Sequence, residues 1–208
     1  MGLYAKYLFP HILNFAMSSE KFVDIRRGLL GSVKGETLEI GFGTGLNLPH
    51  YPATLTHVTA VDVNPGMQKL ARRQIEPSGI EVRYETMDGE HLPFADELFD
   101  SIVSTWTLCS IPNVGSALSE IHRLLKPDGR FFFVEHGLSE DPAIQAWQRR
   151  FTPVQKVVGD GCHLDRDIES LIRSAGFRFI EIKKFYMEKV PRIGGYLYRG
   201  IARKDAAS

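Results

Sequence analysis

Cysteine is scarce: Cys109 and Cys162 are the only two in 208 residues. They lie far apart, form no CxxC unit and show no metal-ligand spacing, which argues against a disulfide framework and reads as reduced thiols. Long apolar runs are missing too. The longest near the start, Tyr7 to Met17, is broken by Pro10, His11 and Asn14. It falls short of the roughly 20 residues of a membrane-spanning helix. No small-residue cleavage site follows it, so no signal peptide is expected and the expected compartment is the cytoplasm. A net charge of zero removes any global attraction to nucleic acid, and there is no basic RNA-binding extension.

What remains is an ordinary globular chain. Hydrophobic residues at 43% and charged residues at 24% suffice for a core and argue against disorder. The neutral total conceals three blocks: +3 over residues 1–34, −7 over 35–139 and +4 over 140–208. An acidic middle between basic ends predicts either mutual packing or an anionic contact at the ends.

Apolar residues at Phe22, Ile25 and Leu29 predict a helix stopped by Gly31. Thr37–Ile40 reads as a strand entering a glycine-rich turn that leads into a helix. Further strands are expected at 57–63, 80–86, 99–105 and 130–135, with a helix opened by Asn64-Pro65 and another over 114–125. Lys126-Pro127-Asp128-Gly129 is expected to end the latter. The run Phe131-Phe132-Phe133-Val134 is apolar throughout, as in a strand covered on both faces. Strand and helix alternate, which implies a parallel sheet. The end differs: a helix around Ile168–Ala175, then two strands, 177–186 and 196–203, predicted as an antiparallel hairpin. Residues 141–158 read as an insertion over the sheet edge. The fold class is therefore α/β, Rossmann-like, with helices on both faces. Residues 1–34 are expected to form a helical lid and 35–208 the main domain.

The segment Glu39-Ile40-Gly41-Phe42-Gly43-Thr44-Gly45 carries the strongest chemical signal. Glycines after a strand permit positive φ and close approach of a ligand to the backbone. Asp62, ending the next strand, can accept both hydroxyl protons of a ribose. Asp88, beyond the third strand, can accept from an adenine amino group. The third glycine comes one position too early for a dinucleotide fingerprint, and no P-loop lysine follows. Glu39 would repel a pyrophosphate and welcome a cation. A nucleoside with a positive end fits best.

Glu39 to Gly45, Asp62, Met87-Asp88-Gly89-Glu90 with Leu92-Pro93-Phe94, Phe99-Asp100 and Leu124 to Gly129 together resemble the motifs of class I S-adenosylmethionine-dependent methyltransferases. The resemblance implies that Gly41, Gly43 and Gly45 line the methionine part of the cofactor. It places Asp62 on the ribose, Asp88 on the adenine and Thr105 near the methyl-donor end, with Val63 and Gly89 in the cofactor-binding set. Glu39 joins the same set. Tyr4 to Pro10, Leu108-Cys109-Ser110, Glu135-His136-Gly137 and Gly161-Cys162-His163-Leu164 resemble a group of small bacterial methyltransferases, some acting on phospholipid amines. More distantly they are similar to mammalian thiol S-methyltransferases.

His136, after the fifth strand, is the candidate general base, with His163 as a second catalytic candidate; each is also a plausible structural histidine. No metal is expected. The expected reaction is methyl transfer to a small or amphiphilic acceptor, first a thiol, then a phospholipid amine or quinone precursor. A cofactor-binding regulator without catalysis is the alternative from another class. Nucleic-acid methylation is not expected, since no Asn-Pro-Pro-Tyr or Pro-Cys motif occurs. Membrane contact through Tyr4, Tyr7, Leu8, His11, Ile12 and Phe15 would be transient, because the apolar segment in front of the mammalian domains has no counterpart here.

Overall fold

A computed structural model describes residues 2–205. A π-turn (Tyr4–Leu8), α1 (Phe9–Met17) and α2 (Glu20–Leu30) precede β1 (Thr37–Ile40). Then come β2 (His57–Asp62), α3 (Pro65–Ser78), β3 (Glu81–Thr86), β4 (Phe99–Thr105), α4 (Val114–Leu124) and β5 (Leu125–His136). The chain closes with α5 (Pro142–Val158), α6 (Ile168–Ser174), β6 (Phe177–Tyr186) and β7 (Tyr196–Lys204).

The seven strands form one sheet in the order β3-β2-β1-β4-β5-β7-β6. β1 to β5 run parallel, and β7 lies antiparallel between β5 and β6. The chain moves outward from β1 through β2 to β3, then crosses to β4 on the other side of β1. That reversal opens a crevice at the carboxyl ends of β1 and β4, where ligands of open α/β sheets bind.

The apolar run of β5 explains the two-sided core. Phe131 and Phe133 join one buried cluster with Ile102, Leu118 and Ile121. Phe132 and Val134 join another with Leu29, Leu30 and Val103. Alternate side chains of a strand point to opposite faces, so a buried sheet needs four apolar residues in a row here.

Caps follow the sequence. Asn64 accepts the Gly66 main-chain N–H at the start of α3, and Asn113 accepts that of Ser116 in α4. Three expectations are corrected. Only a single 3₁₀ turn, Leu48–His50, follows the glycine loop, where a helix was expected. No helix joins β3 to β4, so the strand-helix alternation is interrupted. β5 begins at Leu125 and incorporates Lys126 to Gly129, with a shift of register against β4 between Phe99 and Ser101. Pro52 close after Asn47-Leu48-Pro49 leaves no room for an amphipathic helix between β1 and β2. The segment read as an insertion over the sheet edge is helical, α5, with Asp141 capping its start.

Candidate active site at the carboxyl ends of β1, β2, β4 and β5

Gly41 and Gly45 have φ of +74° and +80°, in the left-handed region that glycine tolerates. The Thr107 side chain occupies the space where a Cβ on Gly41 would stand, so only glycine fits. Gly43 is different: a Cβ there would meet nothing nearer than 3.9 Å. Its bare face is open to a ligand.

Asp62 is buried, 9% exposed. Its Oδ2 accepts the Gly43 main-chain N–H at 2.7 Å and its Oδ1 accepts that of Asn64 at 2.8 Å. Burial pushes its carboxyl up, and these two main-chain donors oppose the shift. Val63 beside it is 60% exposed, a flat apolar surface next to a hydroxyl acceptor. Asp88 caps the turn after β3, its Oδ1 accepting from Glu90 N and His91 N. Gly89 is buried, and a Cβ on it would crowd Ile40.

Glu39 lies deepest. Its carboxylate accepts from Asn47 Nδ2 at 2.8 Å and from the Tyr51 hydroxyl at 2.5 Å. Asn47 Nδ2 also donates to Thr105 Oγ1 at 3.0 Å, and Asn47 Oδ1 accepts from Arg26 Nε at 3.0 Å. Burial pushes Glu39 up to about 7, against the Tyr51 and Asn47 hydrogen bonds and the Arg26 charge. The cation that Glu39 was expected to welcome has a counterpart inside the fold: Arg26, itself 4% exposed and stacked over Trp106 at 4.9 Å. Asn47, Tyr51 and Arg26 escaped the sequence reading. Asparagine, tyrosine and arginine scattered over α2 and a loop carry no spacing signal.

The other side of the crevice belongs to β4 and β5. Trp106, directly after β4, has φ of +52°. Its Nε1 is buried with no hydrogen-bond partner among the described residues. A bulky residue in that conformation with an unpaired donor is strain of the kind found at binding sites. Fully buried Glu135 accepts from Ser104 Oγ, Thr107 N and Cys109 N. His136 Nδ1 lies 3.4 Å from Cys162 Sγ, which in turn lies 3.6 Å from Cys109 Sγ. Burial works to lower the His136 pKa, but its contact with Cys162 and the charges of Cys162 and Glu135 outweigh it and hold the ring above its ordinary value. Hydrogen bonding to Cys162 and burial push the Cys109 thiol up. His163 is tied to the same corner by its main chain, donating to the Cys109 carbonyl at 2.8 Å. Its ring faces Asp165, with burial holding its pKa down.

Residues 4–17 sit directly on this edge. Thr44 donates its hydroxyl to Asn14 Oδ1 at 2.8 Å, and Asn64 Nδ2 donates to the Ala5 carbonyl at 2.7 Å. The Lys6 carbonyl lies against Gly66, in the space a Cβ there would need.

Residues 38–133 match the family model described as a methyltransferase domain. The chain is 35% identical over 193 residues to thiol S-methyltransferase TMT1B of Rattus norvegicus, covering 86% of this chain and 78% of that protein. The chain belongs to the class I S-adenosylmethionine-dependent methyltransferases. It is also 30% identical over 149 residues to a phosphatidylethanolamine N-methyltransferase of Cereibacter sphaeroides, covering 71% and 72% of the two chains. A crystal structure of a Bacillus halodurans methyltransferase superposes with a TM-score of 0.68 at 22% identity, covering 88% of this chain and 98% of that one.

The methyltransferase site suits the cofactor that this class implies. The open face of Gly43, the exposed Val63 beside Asp62, and Asp88 Oδ2, which takes no hydrogen bond among the described residues, offer backbone, apolar and acceptor surfaces in a row. Of the residues singled out in the sequence, the structure gathers Glu39, Gly41, Gly43, Gly45, Asp62, Val63 and Thr105 around the ends of β1, β2 and β4. Asp88 and Gly89 stand beyond β3, and His136 meets Cys162. The ring of His163 turns to Asp165.

Proposed function

We propose that this methyltransferase moves a methyl group from S-adenosylmethionine to the sulfur of a small or amphiphilic thiol. The observation that carries the acceptor class is the similarity to a thiol S-methyltransferase over 86% of the chain. When bound, the cofactor supplies a methyl group on a sulfonium. In this reading Gly41, Gly43 and Gly45 line its methionine part. Asp62 takes the ribose hydroxyls on its remaining lone pairs, Val63 and Gly89 flank the adenine, and Asp88 accepts from the adenine amino group. Glu39, Asn47 and Thr105 hold the methyl-donor end.

Cys109, His136 and Cys162 form the acceptor corner, with His163 bracing it through the Cys109 carbonyl. A dry corner suits a thiolate attacking a sulfonium, because the two charges cancel as the bond forms. Positioning and exclusion of water carry much of the acceleration in such a transfer. Residues 4–17 serve as the lid that excludes water from the donor side.

The amphiphilic acceptor is met at an anionic lipid surface. Leu3, Tyr7, Leu8, Ile12 and Phe15 are exposed on the lid, as are Trp147, Phe151, Val154, Val157 and Val158 on α5. The Tyr4 hydroxyl joins the two by donating to the Val158 carbonyl at 2.8 Å. Residues 3–19 and 142–158 contain no acidic side chain, while Lys6, Arg149, Arg150 and Lys156 are exposed. Apolar side chains among cations match the headgroup boundary of an anionic bilayer. The contact proposed here is peripheral, made by side chains of the lid and α5; among the described residues no helix is long and apolar enough to cross a membrane.

The test is direct. Purified protein is mixed with methyl-labelled S-adenosylmethionine and an alkyl thiol, and the labelled thioether is sought by mass spectrometry. A saturable, enzyme-dependent product is expected. Bound cofactor with no thioether from any alkyl thiol, short or long, would overturn the acceptor assignment.

A further inference from the structure

The fold brings two cysteines and a histidine from three separate segments to one point. Cys109 follows β4, His136 ends β5, and Cys162 follows α5. Their ligand atoms all lie within 4.8 Å of one another. Cys162 and Cys109 Sγ are 3.6 Å apart, and His136 Nδ1 is 3.4 Å from Cys162 Sγ.

The two edges that meet at Cys162 have the dimensions of a coordination tetrahedron, and the Cys109–His136 edge, within 4.8 Å, closes on the cation as it enters. Zinc bonds of about 2.3 Å to sulfur and about 2.0–2.1 Å to nitrogen require a sulfur–sulfur edge of about 3.8 Å and a sulfur–nitrogen edge of about 3.6 Å. The Cys162–Cys109 and Cys162–His136 edges, 3.6 and 3.4 Å, are each about 0.2 Å shorter. The surroundings hold each ligand in place. Glu135 accepts the Cys109 main-chain N–H, and the Cys109 carbonyl accepts from His163 N. The Gln155 side chain stands beside Cys162, and the Gly194 main chain beside His136. Outer partners of this sort orient the ligands of metal sites. The charges also close: two thiolates neutralise a divalent cation, so the buried site carries no net charge.

We propose that Cys109, His136 and Cys162 are the three protein ligands of a zinc-class divalent cation, whose fourth position takes the sulfur of the acceptor. The fourth-position half rests on the thiol reading above; the three-ligand half does not. Three protein ligands with one open position is the pattern of reactive rather than purely structural zinc sites. Two protons leave to solvent as the cation enters, one from the Cys109 thiol and one from the Cys162–His136 pair, and a third leaves as the acceptor sulfur binds. The new carbon–sulfur bond forms as the sulfonium carbon–sulfur bond breaks, whose electron pair stays on the departing sulfur. No oxidant or reductant is consumed.

The full chain, purified in a non-chelating reductant, is loaded with Zn²⁺ alone, dialysed and analysed by plasma mass spectrometry. One zinc per chain is expected, falling at least tenfold in Cys109→Ser and Cys162→Ser. S-adenosylmethionine binding, measured calorimetrically on each variant, reports that the fold survives. Cobalt(II) in place of zinc is expected to give intense tetrahedral visible bands and a near-ultraviolet thiolate charge-transfer band, which strengthens when an alkyl thiol is added. Failure of the wild type to retain zinc, equal retention by folded variants, or a freshly isolated chain lighter by the two hydrogens of a disulfide would overturn the site. A charge-transfer band unmoved by thiol would overturn the fourth-position half. One zinc per chain without any thioether product would overturn the thiol reading while supporting the three-ligand site.

Discussion

The carboxylate of Asp62 accepts the main-chain N–H of Gly43 at 2.7 Å, so a residue ending β2 holds the loop that follows β1. One side chain thus shapes the glycine loop and, in the proposed reading, takes the ribose hydroxyls. Asp62→Ala is expected to lose both contributions and weaken S-adenosylmethionine binding by about 1.5–3 kcal/mol, the range for hydrogen bonds to a charged group. Calorimetry on the purified variant measures it. Unchanged affinity would take Asp62 out of the site.

Glu39 supplies a pH signature of stability. Burial raises its folded-state pKa to about 7 from an ordinary 4.5. The folded state therefore keeps a proton that the unfolded chain gives up sooner. Stability falls as pH rises from about 4.5 to about 7 and is level with respect to this group above that. Glu39→Gln removes the titration. The stability of wild type minus variant is expected to drop by on the order of 3 kcal/mol between pH 4.5 and 7. Urea unfolding of both proteins across that interval measures the difference; parallel curves would mean that Glu39 ionises normally.

Residues 4–17, the proposed lid, can be displaced by a substitution outside the glycine loop. Gly66 packs against the Lys6 carbonyl, and its backbone is not in the left-handed region. Gly66→Ala is expected to lift residues 4–17 and to speed tryptic cleavage at Lys6 and Lys21 several-fold. The melting temperature should change little, because the two core clusters lie elsewhere. Cleavage at the wild-type rate would show that the segment accommodates the methyl group in place.

Sedimentation with lipid vesicles tests the surface formed by the lid and α5. Binding to anionic vesicles is expected to exceed binding to neutral ones and to weaken with salt, since each cation near such a surface contributes about 1 kcal/mol. Phe15→Glu with Val157→Glu is expected to abolish it; both side chains are largely exposed, so folding is spared. Equal partitioning onto neutral and anionic vesicles would remove the role of the cations.

The legible part of the fold was the part written in periodicity and punctuation. Phe131 to Val134 announced a two-sided sheet, Asn64-Pro65 a helix start, and residues 177–203 a hairpin. The missing helix after Gly45 was harder to see, because a glycine loop before a helix is the common arrangement and one 3₁₀ turn leaves no pattern. Lys126 to Gly129 read as a turn but belong to β5, where neighbouring strands override local preference. In the site, Gly41, Asp62 and Asp88 could be found because they recur after successive strands. The Arg26–Asn47–Glu39 network and the Cys109–His136–Cys162 corner could not. Their members lie on separate segments, and only the closed sheet brings them together.

Glu135 has one further consequence. Its carboxylate grips β4 at Ser104 and the following loop at Thr107 and Cys109, and the Thr107 side chain abuts Gly41. The two halves of the crevice are therefore yoked. A shift at the Cys109 corner is transmitted to the glycine loop instead of being absorbed between them. For a displacement that demands three atoms in line, where a misplacement of about 1 Å can cost a factor of about a hundred, such a yoke keeps the line of attack straight.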